Sequence, residues 1–216
     1  MRIGVLGTGV VGRTIGTKLL GLGHEVVMGS RTAANPDAAD WAAEVGTGAS
    51  HGTFADAGAA GEVIFNCTAG IGSLDALGTI GAEHLTGKVV VDISVPLDHS
   101  VGFPPSLFVC NTDSLGEQIQ RSFPDALVVK TLNTMNCAVM VDPGSVAGDH
   151  DVFVSGDDVG AKTQVKGLLE SFGWGEDRII DLGDITTSRG TEMYLPLWIR
   201  LYGALGTGVF NIHVMR

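Results

Sequence analysis

Three glycines near the N-terminus have the spacing that lets a backbone hold a phosphate: "GTGVVG" sets Gly7, Gly9 and Gly12 in a G-x-G-x-x-G register. The motif follows the apolar run "RIGVLG" (2–7) and opens "VVGRTIGTKLLGLG" (10–23), where Val11, Ile15, Leu19 and Leu22 recur at helical spacing. In that setting Gly7 permits a tight turn, Gly9 lets the backbone approach a pyrophosphate, and Gly12 lets helix and strand pack closely. The amides of Val10 and Val11 are then expected to face the anion from the helix N-terminus, where partial positive charge collects. A glycine-rich turn without a ligand is the alternative.

The end of the next strand speaks to which dinucleotide. An NAD site wants Asp or Glu there to accept from the adenosine ribose hydroxyls, whereas "HEVVMGSRT" (24–32) offers Gly29, Ser30, Arg31 and Thr32. A carboxylate repels a 2′-phosphate; an arginine pairs with it bidentately and stacks on adenine. Ser30 and Thr32 add short donors, so NADP(H) is expected over NAD(H), against the bland reading of a solvated arginine in a turn.

These residues need a sheet to hold them. Gly21 and Gly23 end the first helix, and Asn35 with Pro36 form an N-cap and first-turn pair for "PDAADWAAEVG". Further strands are expected at "GEVIFNCT" (61–68), "GKVVVDIS" (87–94), "DALVVKTLN" (125–133) and "DVFVSGDD" (151–158), with a weak one at 49–53. Their apolar character without clean alternation fits a parallel sheet covered by helices on both faces. Helices are expected near 72–84, 113–123 and 159–172, the last N-capped by the acids of "SGDD". The fold class is therefore α/β: a doubly wound, mostly parallel Rossmann sheet in one domain over 1–216, with a C-terminal helical extension from about 184.

Composition narrows the partners. Thirteen Lys and Arg against 24 Asp and Glu give a formal charge of −11, which disfavours nucleic acid and anionic lipid surfaces. Cys67, Cys110 and Cys137 are odd in number and lack C-x-x-C spacing, and the six histidines form no i, i+4 pair, so neither a disulfide framework nor a metal site is expected. The first strand begins almost at Met1, leaving no room for a leader, and a cytoplasmic location is expected. The apolar tract 193–214 contains Pro196, Arg200, three glycines and His213, which argues for a buried or subunit-contacting helix rather than a membrane span. Its Met193, Leu195, Leu197, Trp198, Leu201, Tyr202, Leu205 and Phe210 exceed what one side of a small monomer's helix needs, so a homodimer is expected.

With "GTGVVG", "VVMGSR", "VVKTLNT", "VSGDD" and "RGTEMYLPLWIRLYG" in the same order, the chain resembles the NADPH-dependent reductases of the deazaflavin coenzyme F420. It is also similar to the cytosolic NADPH-binding domain of membrane ferric reductases. The resemblance implies that Ser30 and Arg31 bind the 2′-phosphate and that Thr8, Val10 and Val11 cradle the pyrophosphate. It also implies that the turns holding Cys67, Thr68 and Ala69, and Ser94, Val95 and Pro96, border the ribose and nicotinamide. Where the family often reads Leu-His-Thr-Ile-Pro-Ala, this sequence reads "LNTMNC" (132–137), with Asn133 for His, Asn136 for Pro and Cys137 for Ala.

Hydride transfer to a flavin-like ring needs stacking, orientation and exclusion of water more than a general base. Asn133, Thr134, Met135 and Asn136, with Cys137, are expected to wall the acceptor side at the carboxyl edge of the sheet, unless they only cap the strand and satisfy its loop. Cys137 is either a reactive thiol or a small buried hydrophobe. Lys130, at the end of an apolar strand, needs a carboxylate partner or a substrate anion. His99 beside Asp98 is expected to be a solvated loop residue, with reach into the nicotinamide pocket as the alternative. The expected function is NADP(H)-dependent hydride transfer to a deazaflavin or other flavin-like acceptor. A flavin, a ferric chelate, a carbonyl compound, a non-catalytic NADPH sensor and a soluble partner of a membrane reductase remain as alternatives.

Overall fold

The computed structural model describes residues 1–215. Its strands are β1 (Arg2–Leu6), β2 (Glu25–Ser30), β3 (Ala49–Thr53), β4 (Val63–Asn66), β5 (Val89–Asp92), β6 (Leu97–Asp98), β7 (Ser106–Leu107), β8 (Leu127–Thr131), β9 (Val152–Ser155) and β10 (Ile179–Gly183). Its helices are α1 (Val10–Gly21), α2 (Pro36–Val45), α3 (Phe54–Ala60), α4 (Ser73–Gly78), α5 (Ala82–Leu85), α6 (Leu115–Ser122), α7 (Cys137–Val141), α8 (Val159–Phe172), α9 (Ser188–Met193) and α10 (Leu195–Leu205). Eight strands make one sheet in the order β10-β9-β8-β5-β4-β1-β2-β3, and β6 and β7 form a separate antiparallel hairpin. The sheet is parallel from β3 through β8; β9 runs antiparallel to β8 and β10 parallel to β9.

The strand pleat sorts the core into two layers. Ile3, Val5, Val26, Met28, Val63, Phe65, Val89 and Val91 meet Ile15 and Leu19 of α1, Trp41 of α2, Val139 of α7 and Leu168 and Phe172 of α8. Leu6, Val27, Ile64, Val90 and Val128 meet Ala57 of α3, Leu77 of α4, Leu85 of α5 and Leu115 and Ile119 of α6 on the other face. Both faces of each strand are therefore apolar, which is why the sequence shows continuous runs rather than alternation. The chain leaves β1 toward β2 and β3, then returns to β4 on the other side, so the order reverses beside β1. A crevice at the carboxyl ends of β1 and β4 follows from that switch.

Several boundaries differ from the sequence reading. The helix expected over 72–84 is two pieces, α4 and α5, separated at Gly81, whose φ is 90°. The apolar C-terminal tract is not one helix to 214: it ends at Leu205, where Gly206 takes the left-handed C-cap with φ 68°. The tail then turns back, and Asp151 N donates to Ile212 O at 2.9 Å. β10 carries no pattern beyond Ile179-Ile180; it forms because β9 has an open edge to pair with. Weak β3 is present as expected, and Asn35 Oδ1 accepts from Ala38 N at 3.0 Å to cap α2.

A Cβ added at Gly12 would collide with the carbonyl oxygen of Gly7, forcing α1 away from β1. Gly12→Ala is expected to lower stability by about 1–3 kcal/mol, the usual range for overpacking, read as an earlier urea midpoint with an unchanged slope.

Candidate dinucleotide groove and its buried anchor

The end of β1 leads into Gly7 with φ 110°, a conformation favourable only for glycine. Gly9 is the N-cap of α1 and offers no side-chain cap; a Cβ there would meet nothing within 4 Å. The first-turn N–H groups of α1, beginning at Val10 and Val11, have no side-chain cap and no acid in that turn to compete for them. Val10 is exposed, at 70%, while Val11 packs against the core. Arg13 reinforces the loop: its Nε donates to Thr8 O at 2.8 Å while its guanidinium pairs with Asp37 at 3.3 Å.

A groove of about 410 Å³ runs from Ser30, Arg31 and Asn35 past Gly7, Thr8 and Gly9 to Cys67, Thr68 and Ala69. It adjoins a hollow of about 520 Å³ beyond Arg31, bounded by Thr53, Phe54, Asp75 and Thr79. Arg31 is exposed and makes no ion pair among the described residues. Buried Ser30 donates its hydroxyl to Thr32 O at 2.6 Å and so shapes the turn that presents Arg31. An open amide cradle, an unpaired guanidinium some residues away and no acid at the end of β2 fit a 2′-phosphorylated dinucleotide. Gly7, Thr8, Gly9, Ser30, Arg31, Cys67, Thr68 and Ala69 line this groove.

The rest of the nicotinamide-side set lies deeper. Ser94 is 3% exposed, and its hydroxyl donates to Asp92 Oδ1 at 2.6 Å rather than toward the groove. Pro96 is buried, and the Val95 carbonyl stands against Gly70 so closely that no Cβ fits between them. On the acceptor side, Asn133, Thr134 and Met135 are all buried, and Met135 belongs to the apolar core rather than to an open wall. Asn133 Nδ2 is buried without a partner among the described residues. Asn136 caps α7 through Ala138 N at 3.0 Å, with Cys137 half-buried behind it, so the capping alternative describes Asn136. Gly208 of the returning tail lies against Asn136. Leu132 enters this loop with φ 62°, a left-handed strain on a bulky residue that only its surroundings can hold.

Lys130 has its carboxylate partners. Its Nζ lies 2.6 Å from Asp92 Oδ2 and 2.9 Å from Glu192 Oε1, and donates to Ser94 O at 2.7 Å. Burial opposes the charge on Lys130, but the two carboxylates outweigh it and hold the ammonium above its ordinary pKa. Glu192, from α9, accepts Leu115 N at 2.8 Å and Gly116 N at 2.9 Å, capping α6 from a distant part of the chain. Asp92 Oδ1 also accepts Asn66 Nδ2 at 2.9 Å, and Asn66 Oδ1 accepts the Thr68 hydroxyl at 2.7 Å. Burial, then the charge of Asp92, pushes the Cys67 thiol up, so it stays neutral. Sequence reasoning missed Asn66, Asp92 and Glu192; the polar endings of "VIFN" and "VVVD" were the available signal. Among the described residues no His, Cys, Asp and Glu cluster could hold a metal, and no helix is long and apolar enough to cross a membrane.

Residues 2–96 match the family model described as NADP oxidoreductase, coenzyme F420-dependent. A crystal structure of a candidate F420-dependent NADP reductase from Arthrobacter sp. FB24 is 55% identical, with 99% of each chain covered and a TM-score of 0.94. The F420-dependent NADP reductase of Methanocaldococcus jannaschii is 34% identical over 131 residues, 59% of this chain and 57% of that one. Metalloreductase STEAP3 of Rattus norvegicus is 29% identical over 97% of this chain. The chain spans only 40% of that rat protein's length.

Lys130→Met leaves two buried carboxylates uncompensated and is expected to cost about 3–5 kcal/mol, measured by chemical denaturation. Just ahead of α6, Asp113 is bonded by both guanidinium nitrogens of Arg121, which depresses its pKa to about 2. A depressed carboxylate contributes stability that is present above its unfolded pKa and lost as pH falls through its folded one. Between about pH 4 and pH 2, wild-type stability should fall more steeply than that of Asp113→Asn in matched denaturation curves.

Proposed function

The chain belongs to the family of coenzyme F420-dependent NADP oxidoreductases, and on that premise we propose that it is an NADP(H)-dependent oxidoreductase passing hydride between NADPH and a deazaflavin or similar flat acceptor. The observation that carries the cofactor reading is the groove with the amide cradle of α1 at its middle and unpaired Arg31 at one end. Arg31, presented by the turn that Ser30 shapes, holds the 2′-phosphate, the amides of Val10 and Val11 the pyrophosphate, and the Cys67–Thr68–Ala69 turn borders the nicotinamide half. A bound nicotinamide supplies two-electron hydride chemistry. The chain's own part is to orient that ring and keep water from its face.

The deazaflavin is favoured as acceptor by the names of the Methanocaldococcus and Arthrobacter proteins. The rat relative's name keeps a metal chelate as the second candidate. Asn133, with its unpaired buried donor, is the acceptor-side residue best placed to meet a polar ligand atom. Leu197, at 55% exposure, and Leu205, at 57%, leave an apolar strip on α10 beside Tyr202, which supports a homodimer through that helix. The burial of Glu192, from the extension, against Lys130 supports reading the chain as one domain with its extension. Three free cysteines suit a reducing, cytoplasmic setting.

Arg31→Ala is expected to weaken NADPH binding by roughly 10- to 100-fold, as removal of a charge-assisted contact does, and to leave NADH binding unchanged in fluorescence titration. Equal affinity of the wild type for both nucleotides refutes the cofactor assignment. An NADPH-oxidation screen against F420, FMN, a ferric chelate and a carbonyl compound should show turnover with F420; none with F420 removes the deazaflavin. Leu197→Glu with Leu205→Glu should halve the mass seen by light scattering, and an unchanged mass rules out that dimer face.

A further inference from the structure

The buried ion cluster beneath the sheet's carboxyl edge is joined to the groove wall by ion pairs of Lys130 with Glu192 and Asp92, continued by hydrogen bonds from Asp92 through Asn66 to Thr68. Glu192 touches Lys130, Lys130 touches Asp92, Asp92 accepts from Asn66, and Asn66 accepts from both the hydroxyl and the amide of Thr68. The Thr68 hydroxyl also lies 2.8 Å from Ser73 Oγ, which accepts from Asn66 Nδ2 at 3.2 Å. Of these side chains only Thr68 reaches the groove; Asn66, Ser73, Asp92 and Lys130 are each 1% exposed or less, and Glu192 is 1% exposed.

Each member has little freedom. Lys130 donates to the Ser94 carbonyl and is flanked by the carboxylates of Asp92 and Glu192 at ion-pair distance. Asp92 Oδ1 takes three donors, from Asn66, Ser94 N and the Ser94 hydroxyl. One cation faces two anions, and the amides of Leu115 and Gly116 at the start of α6 take up the remaining carboxylate charge. A Cβ at Gly116 would stand 2.9 Å from Ser188 Oγ and 3.2 Å from Lys130 Cε, so α6, α9 and the lysine stem are packed without slack. In such surroundings a polar group shifted at one end has no alternative partner, and the displacement passes to the next.

We propose that Glu192 is a positioning residue: through Lys130, Asp92 and Asn66 it fixes Thr68, and with it the orientation of the nicotinamide half of the cofactor, while leaving affinity for the phosphorylated adenosine half to Arg31. The inference rests on the cofactor reading given above. It makes the C-terminal extension part of the site through Glu192.

The test separates the two halves of the cofactor. Wild type, Glu192→Gln and Thr68→Val are titrated with 2′-phospho-ADP-ribose, which lacks nicotinamide, and the fluorescence lifetime of bound NADPH reports how firmly the ring is held. Expected is affinity for the truncated nucleotide within about 2-fold of wild type in both variants, a range in which distant side chains normally leave a binding site, with the bound-NADPH lifetime reduced toward the free value. A wild-type lifetime in Glu192→Gln, or an equal loss of truncated-nucleotide affinity, overturns the proposal. If Glu192→Gln fails to fold, Glu192→Asp, which keeps the charge but retracts it from Lys130, decides by the same readout. Absence of binding of either nucleotide to the wild type sinks the cofactor reading itself, an outcome distinct from a variant that binds NADPH with an unchanged lifetime.

Discussion

A fully buried ammonium sets the terms for the carboxyl edge of this sheet. Lys130 lies between Asp92 and Glu192 with no solvent exposure of its side chain, and removing any one member strands a charge in a medium that cannot solvate it. The three residues come from β8, β5 and α9, so one electrostatic constraint locks a central strand, its neighbour and the C-terminal extension into a single relative arrangement. Hydrophobic burial on the two faces gives the sheet its stability, yet apolar contacts tolerate small slips of one helix over another. A satisfied ion cluster does not, because its partners are directional and few.

The same constraint explains how much of the molecule could be read from its residues. The donor end is local: Gly7, Gly9 and Gly12 lie within one turn, and Ser30 and Arg31 end the strand that pairs with β1. Their placement depends on neighbours a few residues away or on one register, so strand-turn-helix reasoning recovers where they stand. Parallel strands β1, β2, β4, β5 and β8 were recoverable for a related reason, since burial on both faces writes itself as an apolar run. β10 was not, because an edge strand reading "IIDLG" has only half such a run and owes its existence to the open side of β9.

The acceptor end depends on distant sequence. Glu192 caps α6 across 77 and 76 residues, and the tail returns to pair with Asp151 across about 60. Periodicity sees the apolar face of α9 and α10 but not that a single acid within it is buried against a lysine. Lys130 was conspicuous as a charge ending an apolar strand, and the need for a partner followed from its burial cost. Which carboxylates would answer that need was beyond any pattern, because two of several dozen acidic or polar residues were chosen by the fold rather than by spacing.

This division has a functional logic. An oxidoreductase that must hold one donor but present its ring at a defined angle gains by separating the two tasks. On the proposed cofactor reading, affinity rests on exposed Arg31 and on backbone amides, whose support is local: the Ser30 turn and the contact of Arg13 with Thr8. Orientation, on the proposal, rests on the Thr68 wall, which is tied to Asn66 and through it to Asp92. The open groove and the buried edge are then two parts of one proposed arrangement: an exposed end that suits phosphate capture, and a buried ion cluster that suits a fixed ring position.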